Sequence, residues 1–145
     1  MRVGEIGAMY PPRIRCMNYG EVAMSQQNIY DDPNLFDGYF ALRDNPNNYN
    51  DLLEQPALTE LLPDLTGKSV LDLGCGYRHN CMDFVCRGAK RVVGIDISQK
   101  MLEVAQKNSI HDKIEYIHMS MTDIAALAET FDLVCSSLAF HHRRF

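Results

Sequence analysis

From Ser69 onward the chain alternates compact apolar runs with amphipathic ones. Ser69 to Leu73 is a short run rich in branched side chains and bounded by a glycine turn, which predicts a β-strand. Asn80 to Gly88 sets Cys81, Phe84 and Val85 at helical spacing and ends on glycine, the usual C-terminal stop of a helix. Arg91 to Asp96 reads as a second strand. Ser98 then caps a helix through Asn108, with Met101, Leu102 and Ala105 turned inward. A third strand at Ile114 to Met119, a short helix at Ile124 to Glu129 and a fourth strand at Phe131 to Ser136 complete the series. Regular alternation of this kind predicts an α/β fold: a Rossmann-like parallel sheet with helices on both faces.

The part before Ser69 has a different pattern. Phe36, Tyr39, Phe40 and Leu42 suggest a short amphipathic helix ended by the turn-forming stretch Asp44 to Asn48. Leu53, Ala57, Leu58, Leu61 and Leu62 recur at helical spacing, with Pro56 in the first turn and Pro63 closing the helix. Residues 1–23 mix prolines, glycines and scattered charge without a period and read as a disordered N-terminal extension, with Met24 as the natural start. The expected organisation is an extension over 1–23 and a domain over 24–145, divided into a helical cap (24–66) and a core (67–145).

Composition narrows the partner. The 145 residues suffice for one hydrophobic core. A net charge of −5 gives no basic face for a nucleic acid, so a small-molecule partner is expected. No apolar run approaches the roughly 18 residues of a membrane span. The N-terminus lacks the apolar segment of a secretory signal, so the expected location is the cytoplasm. The 5 cysteines are odd in number and lack C-x-x-C spacing, so reduced thiols are expected, with no metal site and no disulfide framework.

The chemistry concentrates at strand ends. Val70 to Gly76 places a D-x-G-x-G turn after the first strand, where backbone can approach a ligand and the next helix directs N–H groups toward negative charge. Asp96 follows the second strand about 20 residues beyond Gly76, the spacing of an acid that accepts hydrogen bonds from ribose hydroxyls. Asp123 follows the third strand, either near an exocyclic amine of adenine or as a plain helix cap. A nicotinamide fingerprint would need glycine at His79, so that cofactor is disfavoured.

These motifs, in order, are Val70-Leu71-Asp72-Leu73-Gly74-Cys75-Gly76, Val93-Gly94-Ile95-Asp96-Ile97-Ser98 and Phe131 to His141. Together they make the stretch from Asn28 to Phe140 resemble a class I S-adenosylmethionine-dependent methyltransferase, in the small-molecule branch that includes quinone-biosynthesis enzymes. The resemblance implies S-adenosyl-L-methionine as cofactor, a small-molecule methyl acceptor, and an incomplete domain holding about four of the family's seven strands. It implies that Asp72, Gly74 and Gly76 surround the methionine portion and that Asp96 holds the ribose. By the same resemblance, Ile97 lies against adenine, and Met121 and Thr122 stand beside its edge. Ser137 would approach the methionine end, while Tyr39 and Arg43 come from a helix closing over the cofactor, Arg43 pairing its carboxylate.

Two departures stand out. The family places a third glycine where this chain has Arg78, an exchange expected to impair cofactor binding where φ is positive and to be tolerated, with the guanidinium on the cofactor carboxylate, where φ is negative. The chain also ends on His142-Arg143-Arg144-Phe145 shortly after the fourth strand, which leaves a non-catalytic remnant as the alternative reading. A nucleobase amino-methyltransferase is disfavoured, because Ser136-Ser137-Leu138-Ala139 stands where that group carries a D/N-P-P-Y/F run. His141 and His142 read as structural, and no residue presents itself as a general base.

Overall fold

The computed structural model describes residues 29–32, 36–39, 41, 50–77, 80–137 and 139. The extension over 1–23, Met24, Phe40, Leu42, Arg43, Arg78, His79, His141 and His142 lie outside the described residues.

Four parallel strands form one sheet: β1 (Ser69–Leu73), β2 (Arg91–Asp96), β3 (Ile114–His118) and β4 (Leu133–Cys135), in the order β3-β2-β1-β4. The register aligns Leu73 with Ile95 and Val70 with Leu133. The central strands β1 and β2 are buried almost throughout, with Asp72 the acid among the buried positions of β1, whereas β3 and β4 lie at the edges and are partly exposed. Val92, Val93 and Ile95 are fully buried. Each such side chain contributes about 1.5–3 kcal/mol of apolar burial.

Besides these, α1 (Gln55–Leu61) precedes β1, α2 (Asn80–Cys86) joins β1 to β2, and α3 (Gln99–Asn108) joins β2 to β3. One side of the sheet packs Val70 and Val92 with Phe84 and Val85 from α2 and Leu102 from α3. The other packs Leu71, Leu73, Val93 and Ile95 with Met119, Met121, Leu127 and Phe131. The expected helix at Ile124 to Glu129 is a single 3-10 turn, Ile124–Leu127, ended by Ala128 in the left-handed region at φ 50°. Only Leu127 of that turn joins the core, so it lacks the apolar face that holds an α-helix in place.

Local chemistry sets the helix ends. Beyond α2, Ala89 N–H donates to Phe84 O at 3.1 Å and Gly88 N–H donates to Val85 O at 2.9 Å, the paired bonds of a Schellman motif. Ser98 caps α3 by accepting from Met101 N–H at 3.2 Å. Before α1 the order differs from expectation: residues Asn50–Glu54 form a π-helical turn. Its i→i+5 bonding breaks the 3.6-residue period, and Leu53 and Leu61 stand 66% and 82% exposed while Leu58 and Leu62 pack on the core.

Candidate functional site

The carboxyl ends of β1, β2 and β4 meet at the glycine turn. Gly74 N–H and Cys75 N–H both donate to Ile95 O, at 2.8 and 3.0 Å, which ties the turn to the end of β2. Gly74 and Gly76 have φ of 69° and 57°, a region that L-residues with a Cβ adopt at a cost of about 1–2 kcal/mol. They differ in surroundings. A Cβ on Gly74 would stand 2.4 Å from Ala139 Cβ and 3.8 Å from Met121 Cε, whereas one on Gly76 would meet nothing within 4 Å among the described residues. The turn is therefore closed at Gly74 and open at Gly76.

Asp96 organises the open side. Its Oδ2 accepts from Gly76 N–H at 2.8 Å and its Oδ1 from Ser98 N–H at 2.8 Å. A carboxylate has about four lone-pair directions, so acceptor capacity remains beyond its backbone bonds. Burial raises the Asp96 pKa, and backbone N–H bonds from Ser98, Gly76 and Ile97 oppose that rise. Ile97 O bonds His118 Nε2 at 2.8 Å, fixing the residue after Asp96 to the end of β3.

Asp72 is the fourth residue of β1. It is 1% exposed and lies under the turn, where Cys81 Sγ–H donates to its Oδ2 at 3.7 Å. Its Oδ1 has no hydrogen-bond partner among the described residues. Burial pushes its pKa from 3.8 up to about 7. Cys75, Cys81 and Cys135 are free, buried thiols beside it. The bond with Cys81 and burial push the Cys75 thiol up, and burial pushes Cys135 up to about 11, so Cys75 and Cys135 are protonated packing groups at neutral pH. No group of three metal-ligating side chains occurs among the described residues.

Met121 reaches Gly74 but also packs on Leu71, Leu73, Val93 and Ile95. Thr122 is exposed; its hydroxyl bonds Ser120 Oγ at 2.7 Å and donates to Asp123 Oδ1 at 3.1 Å. Asp123 occupies the position before the 3-10 turn, yet its side chain makes no capping bond. Ser137 follows β4 and donates to Glu54 Oε1 at 2.8 Å.

The segment before β1 reaches the same end of the sheet. Tyr39 lies edge-on to Tyr30 at 5.0 Å and to Tyr77, the residue after Gly76, at 6.4 Å. Asp31 Oδ1 accepts from Ser98 Oγ at 2.6 Å and Lys100 N–H at 3.3 Å, docking the segment on the start of α3. Gln55 Nε2 donates to Asn80 Oδ1 at 2.9 Å. Gly74, Gly76, Asp96, Ile97, Met121, Ser137 and Tyr39 are thus brought to one end of the sheet, with Asp72 beneath. Thr122 stands at the periphery.

Tyr30, Asp31, Glu54 and Tyr77 also reach this end of the sheet, with little in the local sequence pattern to single them out. Tyr77 alone carried a signal, its place directly after Gly76. A separate groove of about 420 Å³ lined by Lys90, Arg91, Lys113 and Glu115 lies at the amino ends of β2 and β3. That is the wrong end of a parallel sheet for a ligand site.

Residues 70–144 match the family described as a methyltransferase domain. An uncharacterized protein of Haemophilus influenzae is 40% identical over 121 residues, covering 79% of this chain and 48% of that protein. A solved structure from Listeria monocytogenes, described as an S-adenosylmethionine-dependent methyltransferase, is 40% identical with a TM-score of 0.57, covering 61% of this chain and 41% of its own. Another from Mesorhizobium loti, an S-adenosylmethionine-dependent methyltransferase, is 36% identical with a TM-score of 0.52, covering 61% and 40%. More distant relatives differ in their acceptors. A tRNA U34 carboxymethyltransferase of Cellvibrio japonicus is 32% identical (57% of this chain, 27% of that protein). A ribosomal protein L11 methyltransferase of Pelobacter propionicus is 35% identical (61% and 28%). A demethylmenaquinone methyltransferase of Clavibacter sepedonicus is 31% identical (64% and 38%). The chain spans less than half the length of each of these proteins. With the family match running from β1 through β4 and including the glycine turn, this chain belongs to the methyltransferase domain family.

Proposed function

We propose that this chain forms the cofactor-binding part of an S-adenosylmethionine-dependent methyltransferase acting on a small-molecule acceptor. The observation that carries the reading is the Asp96 carboxylate, held on Gly76 N–H beside an open glycine turn.

The residues present fit the cofactor. Asp96 keeps acceptor capacity for a ribose hydroxyl beside its backbone N–H bonds from Gly76, Ile97 and Ser98. Ile97 and Met121 supply apolar atoms for the adenine ring, and Thr122 its polar edge. The open space over Gly76 admits the methionine portion without a Cβ in the way, with Gly74, Ser137 and Tyr39 around it. Asp72 serves from below, as a buried acid under the turn rather than a surface contact. Arg43 would pair the cofactor carboxylate.

Bound there, the cofactor supplies a methyl group already activated on a sulfonium. The chain's own task is to hold that group in line with an acceptor atom and to keep water away. The edge-on contacts of Tyr30, Tyr39 and Tyr77 suit the second role, since they bring the upstream segment against the glycine turn.

The net charge of −5 and the demethylmenaquinone methyltransferase relative support a small-molecule acceptor. The tRNA and ribosomal-protein relatives favour a second reading, a macromolecular acceptor at the same site. Transfer of radiolabelled methyl from S-adenosylmethionine to a panel of phenolic and quinol acceptors, to tRNA and to ribosomal protein separates the two. Labelled small molecules are expected; label only in RNA or protein would overturn the acceptor class. Failure of the chain to bind S-adenosylhomocysteine would overturn the cofactor reading itself.

A further inference from the structure

Glu54 stands where the upstream segment meets the residues that follow β4. Its Oε1 accepts from Ser137 Oγ at 2.8 Å, and both residues are part-buried. Ser137 is itself placed by its neighbours. Ser136 Oγ donates to Leu73 O at 3.1 Å, the carbonyl just before the glycine turn, and Ala139 rests against Gly74. The adjoining Gln55 is bonded to Asn80, the first residue of α2. Residues Glu54 and Gln55 therefore bridge the two sides of the turn, from the end of β4 to the start of α2. This brings a carboxylate to the methionine end of the site. The Ser137 hydroxyl occupies one lone pair of Oε1, and the group retains acceptor capacity for a ligand cation.

We infer that Glu54 is the ligand for the ammonium group of the cofactor's amino-acid end, oriented for that contact by Ser137. The inference rests on the proposed cofactor site and adds to it a residue from outside the sheet. A part-buried carboxylate bonded to an alkylammonium forms a charge-assisted hydrogen bond, stronger than a neutral one. The upstream segment thereby gains a direct stake in cofactor binding, because the same turn of chain carries Glu54 and the Gln55 bond to Asn80.

The test compares two ligands. S-adenosylhomocysteine carries the amino-acid end, whereas 5′-methylthioadenosine has the same adenosine and thioether without it. Both are titrated calorimetrically into the unmodified chain, Glu54→Gln and Glu54→Asp. Glu54→Gln keeps the shape and an acceptor for Ser137 while removing the charge. It should weaken S-adenosylhomocysteine at least tenfold and leave 5′-methylthioadenosine within twofold. Glu54→Asp, which keeps the charge, should restore part of the difference. Equal weakening of both ligands, or no weakening of either, would overturn the role of Glu54 while leaving the cofactor site standing. An unmodified chain that binds neither ligand would overturn both the site and this inference.

Discussion

Replacing Asp72 with asparagine tests the electrostatics under the glycine turn. The carboxyl is 1% exposed, accepts one weak thiol donor at 3.7 Å, and has an oxygen without a partner among the described residues. Burial is the main cause of its rise from 3.8 to about 7, opposed by the Cys81 bond and assisted by the nearby Asp96 charge. A raised folded-state pKa means that the folded chain binds more protons than the unfolded chain between those two values. Its stabilising contribution is therefore fully present below the unfolded pKa and is lost as pH rises through about 7. At about 1.4 kcal/mol per pKa unit the whole span is about 4 kcal/mol, of which about 2–3 kcal/mol falls between about pH 5 and about pH 8. Asp72→Asn keeps the shape and cannot ionise. In urea unfolding across that range, the unmodified chain should lose stability with rising pH by about that amount more than the variant. Parallel pH profiles for the two chains would refute the reasoning, because Asp72 would then be charged in both states or solvated in the folded one.

Other substitutions follow from the same geometry. Gly74→Ala adds a Cβ 2.4 Å from Ala139 at φ 69°, so a thermal melt should show destabilisation by at least the ~1–2 kcal/mol of backbone strain. Gly94→Ala would set a methyl 2.9 Å from both Cys75 Sγ and Cys81 Sγ and 3.1 Å from Tyr116, and overpacking should cost about 1–3 kcal/mol in urea unfolding. Ser98→Ala removes the α3 cap and the bond to Asp31, and should cost about 1 kcal/mol or somewhat more. A smaller effect would mean that Asp31 takes over the cap through Lys100 N–H.

The sheet was legible because its centre is chemically simple. β1 and β2 are covered on both sides, so Val70, Leu71, Leu73, Val92, Val93 and Ile95 form short branched apolar runs that carry the strand signal. α3 was legible because Ser98 and the Met101, Leu102, Ala105 spacing give the same answer. The edge strands were read too long: Phe131 joins the core as a side chain ahead of β4, and Met119 follows the end of β3. The leucines around α1 misled because the π-helical turn at Asn50–Glu54 shifts the phase of the helix that follows. The glycine turn and Asp96 were legible as a local motif at a fixed spacing. Asp31 and Glu54 were not, since their partners lie 67 and 83 residues away and no local period links them. The motif marks Asp72 as an acid at the glycine turn but not its burial, which follows from its place on β1 on the same face as Val70, two residues before it.

The most direct measurement is the affinity of S-adenosylhomocysteine for the unmodified chain and for Asp96→Asn. In the variant one carboxylate oxygen becomes an NH2 that must face either Gly76 N–H or Ser98 N–H, and one acceptor for the ribose is lost. Binding by the unmodified chain, weakened at least tenfold in a variant that remains folded by circular dichroism, is the predicted result. Equal affinity in the two folded chains would contradict the claim that Asp96 holds the cofactor at this turn.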